Sequence, residues 1–396
     1  MEYSNLSKYI TNKLSKKTKK DNGIYFTPPS CVDKNIELLK PYFKNIKTIL
    51  EPSCGSCEFI IALYSKFKKI KITGIEFNKE IYDEIVSINN NNINIINKNF
   101  LDYEGTKYDL IIGNPPFFVM KKNDVDKKYY NYFEGRPNIF ILFIIKTLTL
   151  LNHNGILSFV LPKSFLNSFY YNKTRKYIYN NYQILELVEC NDKYIETQQE
   201  TIILIIRKQN DIDNSKFVLN KNNLTIFGCE ENIKLINELY TDSTTLNEMN
   251  FNVGVGNVIW NENKDKLTDD ETKTRLIYSS DIKNNNLILK KYSNKEKKNY
   301  IDKKGDNSMC LLINRGYGMG NYNFEYCLVK DMKYLIENHL IYIKYNNECS
   351  DDELIKLYEK VIKSLDNEKT KKFIKLYFGN NAINTKELNY ILPIYI

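Results

Sequence analysis

Apolar and polar positions form a repeating pattern over residues 47–228. Short apolar runs are separated by segments of about 10 to 20 residues whose apolar positions recur with helical spacing, as in Glu58–Lys68, Lys79–Asn89 and Asn138–Asn152. Strands that alternate with helices in this way are typical of an α/β fold with a mostly parallel, doubly wound sheet. A helix near Cys31–Pro41 is predicted to pack on one face of that sheet. The predicted strands are Thr48–Leu50, Lys71–Ile75, Ile93–Ile96, Tyr108–Gly113, Gly155–Leu161, Ile184–Val188 and Thr201–Arg207.

The pattern becomes irregular after residue 228. Polar stretches separate uneven strands such as Leu276–Tyr278 and Met309–Asn314, and helices are predicted near Asp351–Leu365 and Glu368–Phe378. The sequence therefore predicts an α/β domain over 1–228, a linker over 229–245, and an α+β domain over 246–396.

Composition and charge narrow the class of protein. The longest apolar run, Ile139–Leu151, contains Lys146 and is shorter than the roughly 20 residues that cross a bilayer. The first residues lack a secretion signal, so we expect an intracellular, cytoplasmic protein with no membrane partner. A net charge of +9 favours a polyanionic partner, although a solvated surface rich in lysine explains it equally well.

The cysteines raise two alternatives. Eight cysteines are scattered along the chain, which does not resemble a disulfide framework, and only two histidines are present. The single Cys-x-x-Cys pair, Cys54 and Cys57, has no second pair to complete a zinc site, so no metal site is predicted. A redox dithiol at a junction between a strand and a helix stays possible from position alone.

The loop that holds this pair also suits a nucleotide-like cofactor. A strand, a short loop with Gly55 and a helix follow one another, and this arrangement points backbone N–H groups at a ligand. An acidic residue about 20 positions further on, at the end of the next strand, binds ribose hydroxyls in such folds. Glu76 occupies that position.

The stretch "YDLIIGNPPFF", residues 108–118, carries the most specific chemistry. Asn-Pro and Pro-Pro are also ordinary turn formers, but here they follow a central strand, where open α/β sheets bind ligands. The exocyclic amine of adenine is a poor nucleophile because its lone pair is delocalised into the ring. The side-chain oxygen of Asn114 and the carbonyl of Pro115 can accept its two N–H groups, and Phe117 can stack on the base.

With these motifs the chain resembles the N6-adenine DNA methyltransferases of the gamma arrangement, which use S-adenosyl-L-methionine (AdoMet). The resemblance extends to "GIYFTPP" at 23–29, "LEPSCGSCEF" at 50–59, "NFL" at 99–101 and "YIETQQET" at 194–201. It implies a Rossmann-like, seven-stranded methyltransferase sheet followed by a target-recognition domain. The implied cofactor contacts are Thr27, Glu51, Pro52, Cys54, Gly55, Glu76, Phe77, Asn99, Phe100 and Asn114, and the implied catalytic residues are Asn114, Pro115, Pro116, Phe117 and Tyr194.

Two positions depart from the family pattern. The family usually has glycine at position 57 and aspartate at position 99, where this chain has Cys57 and Asn99. Asn99 is expected to accept from the amino group of the cofactor through its carbonyl oxygen. Cys57 is expected to place a side chain where backbone approaches the ligand.

The carboxyl-terminal half resembles the recognition regions of the same enzymes in pieces, such as residues 246–260 and 275–287. The resemblance implies double-stranded DNA as the partner and a target adenine that is flipped out of the duplex. It is also compatible with a cognate restriction endonuclease as a second partner. Three alternatives stay open: an RNA adenine methyltransferase, a protein-glutamine methyltransferase, and a catalytically inactive DNA-binding or specificity component. The candidate phosphate contacts are Arg275, Lys283, Lys290, Lys291 and Arg315.

Overall fold

The chain forms two compact units, residues 1–233 and 234–396, and the division falls within a helix, Glu230–Tyr240. The computed structural model describes residues 3–190, 192, 194–197, 199–314, 324–378 and 383–395. Among these residues, every helix is too short or too polar to traverse a lipid bilayer.

The first unit is built on a seven-stranded sheet with the order β3-β2-β1-β4-β5-β7-β6. The first five strands run parallel, and β7 is antiparallel to both β5 and β6. This confirms the predicted doubly wound α/β sheet. The strands are β1 (Thr48–Glu51), β2 (Lys71–Glu76), β3 (Ile93–Asn97), β4 (Tyr108–Gly113), β5 (Leu151–Pro162), β6 (Gln183–Cys190) and β7 (Thr201–Arg207).

Helices cover both faces of this sheet because side chains alternate along each strand. In β4, Leu110 and Ile112 enter one apolar core, whereas Ile111 enters the core on the opposite face. Strands that are buried on both faces read as continuous apolar runs, which is why they were visible in the sequence. The helices of this unit are α1 (Asn5–Lys13), α2 (Lys16–Asn22), α3 (Pro29–Leu39), α4 (Glu58–Lys66), α5 (Lys79–Ile85), α6 (Ile139–Thr149) and α7 (Asn172–Asn181), and the helix at the division is α8 (Glu230–Tyr240).

One boundary differs from the prediction. The helix predicted to reach Asn152 ends at Thr149, and β5 already begins at Leu151. The polar segment "NHNG" therefore belongs to the strand, where Asn154 donates to the carbonyl of Lys208 and takes a positive φ of 59°. His153 is exposed on this segment. Asparagine tolerates the left-handed conformation, so this polar run can lie within a strand.

The second unit contains two four-stranded sheets, ordered β11-β20-β17-β18 and β12-β16-β13-β19. Helix α9 (Asp351–Leu365) has the predicted bounds, and Ser350 and Glu353 form a capping box at its start. The other helices are α10 (Glu368–Tyr377) and α11 (Thr385–Tyr390). The strands after β7 are β8 (Val218–Lys221) and β9 (Leu224–Phe227) in the first unit, then β10 (Ser243–Thr244), β11 (Phe251–Val255), β12 (Leu267–Thr268), β13 (Thr274–Ile277), β14 (Ile282–Lys283), β15 (Asn286–Leu287), β16 (Tyr300–Ile301), β17 (Cys310–Asn314), β18 (Tyr326–Val329), β19 (Tyr334–Ile336), β20 (Leu340–Tyr345) and β21 (Ile394–Tyr395).

Candidate active site

A cavity of about 260 Å³ lies at the carboxyl ends of β1, β2 and β4 in the first unit. The strand order reverses between β1 and β4, and ligands of open α/β sheets bind at such a switch point. Residues from four sequence motifs meet there, although they are far apart along the chain. Of the predicted site residues, Pro52, Gly55, Glu76, Phe77, Asn99, Phe100, Asn114 and Pro116 line the cavity.

Glu76 organises the loop that follows β1. One oxygen of its carboxylate accepts from the Gly55 amide at 2.9 Å, and the other accepts from the Asn78 amide at 2.7 Å. Burial raises the pKa of this carboxyl from 4.5 to about 7. The carboxyl therefore holds the glycine loop against β2 and also borders the cavity.

Cys57 has a strained backbone conformation, but its side chain does not lie next to the ligand cavity as expected. It lies outside the cavity lining, and its side chain is fully buried in the apolar core beneath the loop. Its φ of 64° is left-handed, and Cys57 is the N-cap of α4. The expectation that the Cys57 side chain intrudes on the ligand is wrong, because that side chain lies in the core. The left-handed backbone at this position is what favours glycine there.

Cys54 and Thr27 are buried and do not line the cavity. Cys54 packs against Gly74 on the neighbouring strand and joins the same core as Cys57. The side chain of Cys54 points into the core, and its cofactor contact stays a prediction. The contact of Thr27 stays a prediction. All eight cysteines are free thiols.

Glu51, at the end of β1, has a buried carboxyl group, one oxygen of which is unpartnered in the described part of the chain. Its side chain is 3% exposed, and its Oε2 atom has no hydrogen-bond partner among the described residues. Burial, reinforced by nearby Cys57, Glu58 and Glu76, raises the pKa of this carboxyl well above its usual range. A buried carboxyl without a partner is costly, and a cationic group of a ligand would offset that cost.

Asn114 is held with its acceptor unoccupied. Its amide nitrogen donates to the carbonyl of Tyr25 at 3.3 Å, and Ser53 donates to its backbone carbonyl at 3.2 Å. The side-chain oxygen Oδ1 is buried and has no partner among the described residues. The anchored nitrogen fixes the direction of that oxygen, so the amide presents an acceptor beside the cavity.

The segment before α3 supports this arrangement through close backbone packing. Gly23 has a φ of 63°, and a Cβ atom there would lie 2.8 Å from the Phe117 amide nitrogen. Only glycine fits both the conformation and the space. Gly23 therefore lets the "GIYF" segment reach the Asn-Pro-Pro-Phe motif.

The two predicted stacking rings lie outside the cavity lining. Phe117 is half-buried and meets Phe140 edge-on with ring centroids 5.9 Å apart. Tyr194 is 7% exposed, and burial raises the pKa of its hydroxyl. The cavity thus collects the predicted cofactor residues, and the stacking roles of both rings stay predictions.

Asn99 makes two local contacts. Its side-chain oxygen accepts from the Leu101 amide at 3.1 Å, and its nitrogen donates to Asp102 at 2.9 Å. The carbonyl oxygen expected to serve the cofactor therefore already holds the turn, and one lone pair is left for a ligand. The chemistry expected of Asn99 stays a prediction.

Sequence reasoning missed the apolar wall of the cavity. Ile139 and Phe143, one turn apart on α6, line it together with Tyr25, Phe26 and Met120. Helix α6 is apolar on nearly every side, so its pattern indicated core and gave no sign of a ligand. The signal that was available is position, because α6 follows the Asn-Pro-Pro-Phe loop directly.

Arg275 corrects the predicted set of phosphate contacts. It is 4% exposed, and its guanidinium pairs with Asp281 at 2.8 Å and also donates to Asn299. It therefore stabilises the interior of the second unit and is not available to DNA. Lys283, Lys290 and Lys291 are exposed, and their contacts with phosphate stay predictions. Arg315 lies outside the described residues.

Comparison with known proteins finds similar restriction-modification methylases. Residues 5–196 match the model of the Eco57I restriction-modification methylase family. The matched segment covers most of the amino-terminal unit. Modification methylase CviBIII of Paramecium bursaria Chlorella virus NC1A is 27% identical over 98% of both chains. Type II methyltransferase M.CvrRI of Paramecium bursaria Chlorella virus XZ-6E is 28% identical over 94% of both chains. The type IIG restriction endonuclease BpuSI aligns in three dimensions with a TM-score of 0.47 and 12% identity, over 98% of this chain and 60% of its own.

The chain is therefore a methyltransferase of the restriction-modification type, and its cofactor is AdoMet. When bound, AdoMet supplies an electrophilic methyl group on a sulfonium. The cavity residues fit this molecule. The Glu76 carboxyl suits ribose hydroxyls, and Phe77, 67% exposed at the cavity, offers a ring face to an adenine. Glu51 is not in the cavity lining but precedes Pro52, which is, and its unpartnered Oε2 atom suits an ammonium group.

Proposed function

We propose that this site-specific DNA methyltransferase modifies the exocyclic N6 amine of adenine. The observation that carries the proposal is the buried Oδ1 atom of Asn114, which has no partner among the described residues and lies beside the cofactor cavity. A buried hydrogen-bond acceptor without a protein partner is suited to accept an N–H group of the target amine.

The chemistry follows from hydrogen bonding. The amine of adenine has two N–H groups, and its lone pair is conjugated with the ring. Oδ1 of Asn114 accepts one N–H, and the carbonyl of Pro115 accepts the other, which draws the nitrogen toward tetrahedral geometry and frees its lone pair. Because the donor of Asn114 is bound to Tyr25, the amide cannot rotate freely to present nitrogen instead.

The active-site residues then position and shield the base. Phe117 and Tyr194 stack on the two faces of an adenine extruded from the duplex, and the apolar wall of the cavity excludes water. After methyl transfer the nitrogen loses one of its two protons. The carbonyl acceptors can pass that proton to solvent. No strongly basic side chain is needed, since the amine attacks in its neutral form.

Product analysis tests the proposal. Purified full-length protein is incubated with AdoMet carrying a labelled methyl group and with genomic DNA, total RNA or a glutamine-rich protein extract. The products are then digested and separated by mass spectrometry. We expect N6-methyladenine in DNA alone. Label in cytosine would still support methylation of an exocyclic amine but would contradict adenine as the target base. Label only in RNA or glutamine would overturn the DNA assignment.

An Asn114→Ala protein serves as the control for contaminating activity. It should bind AdoMet in calorimetry and yield no methylated adenine. Failure of the unmodified protein to bind AdoMet would favour a catalytically inactive DNA-binding component.

A further inference from the structure

A cluster of metal-ligating side chains lies outside the cofactor cavity. The Sγ atoms of Cys31 and Cys190 are 3.6 Å apart, although the residues are separated by 159 positions in sequence. A carboxylate oxygen of Asp192 completes the group, and all three ligand atoms lie within 4.8 Å of one another. It is the one such group among the described residues.

The fold brings these side chains together from two elements. Cys31 lies in the first turn of α3, and Cys190 is the last residue of β6. Both thiols are buried, at 0% and 4% exposure, whereas Asp192 is half-buried. The hydroxyl of Ser30, which is exposed, donates to the Asp192 carboxylate. One side of the cluster is therefore dry and sulfur-rich, and the other side opens to solvent.

The geometry resembles the ligand set of a thiophilic ion. Zinc bonds of about 2.3 Å in a tetrahedron separate two sulfur ligands by roughly 3.8 Å, close to the distance between the two thiols. Thiolate and carboxylate together suit zinc better than magnesium or calcium, which take oxygen ligands alone. We propose that Cys31, Cys190 and Asp192 bind a thiophilic divalent cation of the zinc class, with water in the fourth position.

Proton and charge balance are consistent with such a site. Binding displaces one proton from each thiol, so two thiolates and one carboxylate face two positive charges. The ammonium group of Lys34 donates to the carbonyl of Glu189, next to Cys190 in sequence, and compensates the remaining negative charge. The competing structure is a reduced pair of packed thiols that binds nothing, and it differs in every measurement below.

The cation would join two segments of the candidate active site. Helix α3 begins at Pro29, the last residue of the "FTPP" stretch that contains Thr27, and Tyr194 follows Asp192 closely in sequence. A tetrahedral ion between them restricts how far these segments can separate. Its role is positioning, because none of its ligands lines the cofactor cavity.

Cobalt(II) substitution provides the direct test. Full-length protein is purified under reducing conditions, stripped with a chelator and titrated with Co²⁺ alone. We expect a thiolate-to-cobalt charge-transfer band that saturates at one equivalent and is displaced by Zn²⁺. Absence of the band, or a Cys31–Cys190 disulfide in the reduced preparation, would overturn the proposal.

Matched variants locate the site. Cys31→Ser and Cys190→Ser should each abolish the band, and Asp192→Asn should weaken Co²⁺ binding by at least about tenfold. Cys229→Ser and Cys349→Ser, which remove cysteines that are not fully buried, should leave the titration unchanged. Because Asp192 is half-buried, its amide variant is expected to fold even where a core substitution does not. A band that persists in the Cys31→Ser and Cys190→Ser double variant would contradict the assignment. These measurements do not depend on methylation, so their failure would leave the proposed function intact.

Discussion

The two units treat buried ionisable groups in opposite ways. In the first unit, the carboxyl of Glu51 is buried, and its Oε2 atom has no partner among the described residues. In the second unit, the buried guanidinium of Arg275 is surrounded by Asp281, Asn299 and the carbonyl of Ile288. Both residues are almost inaccessible, but only the first leaves bonding capacity unused. Burial with partners indicates a structural role, and burial without them indicates that a ligand completes the site.

The largest effect is expected from breaking the buried pair. Arg275→Ala leaves Asp281, whose side chain is fully buried, without its cation, and should lower the free energy of unfolding by about 3–5 kcal/mol. Urea denaturation measures this, with Lys283→Ala as the exposed control. A stable Arg275→Ala protein with a reduced salt dependence of DNA binding would restore Arg275 as a phosphate contact.

Removing the unoccupied acceptor should affect rate more than folding. Asn114→Ala is expected to lower kcat by about 100- to 1,000-fold, since an oriented group that stabilises developing charge is lost. AdoMet affinity and the unfolding midpoint should change little. Asn114→Asp, which keeps an acceptor oxygen, should retain more activity than the alanine variant. Equal loss in both would show that the amide donor to Tyr25 matters more than the acceptor.

The Glu51 carboxyl should make protein stability and AdoMet affinity depend on pH in opposite directions. Its raised pKa means that the neutral carboxyl stabilises the fold at low pH, and this contribution is lost as pH rises through the folded-state pKa. AdoMet affinity should change in the opposite direction and rise with pH, because an ammonium group favours the carboxylate. Glu51→Gln should weaken AdoMet binding by about ten- to a hundredfold and flatten its pH dependence. Calorimetry between pH 5 and 8 measures both. An unchanged affinity would remove Glu51 from the cofactor site.

The smallest effects are expected at the exposed lysines. Lys283→Ala, Lys290→Ala and Lys291→Ala should each weaken DNA binding a few-fold, equally for all sequences, and lower the slope of log affinity against log salt by about 1. Fluorescence anisotropy over a range of salt concentrations gives the slope. A slope that is the same in the triple variant would place the DNA contacts elsewhere.

Local pattern was sufficient for elements whose signals lie within the segment itself. Strands β4 and β7 and helix α9 have the predicted bounds because apolar periodicity and capping residues lie within each segment. The site was predictable where a motif follows a strand, as for Glu76 and Asn114. Arg275 was misassigned because an exposed and a buried arginine look alike when their neighbours in space are unknown.

The sequence by itself determined the alternation of strands and helices, the glycine loop after β1 and the acceptor chemistry of the Asn-Pro-Pro-Phe motif, since each depends on residues close together in the chain. Tertiary structure alone decided which polar atoms find partners. Tyr25 reaches Asn114 across 89 positions, and Cys31 meets Cys190 across 159. Whether a buried atom is satisfied depends on distances and directions in space, and those are set only when the sheet has formed and its loops have packed.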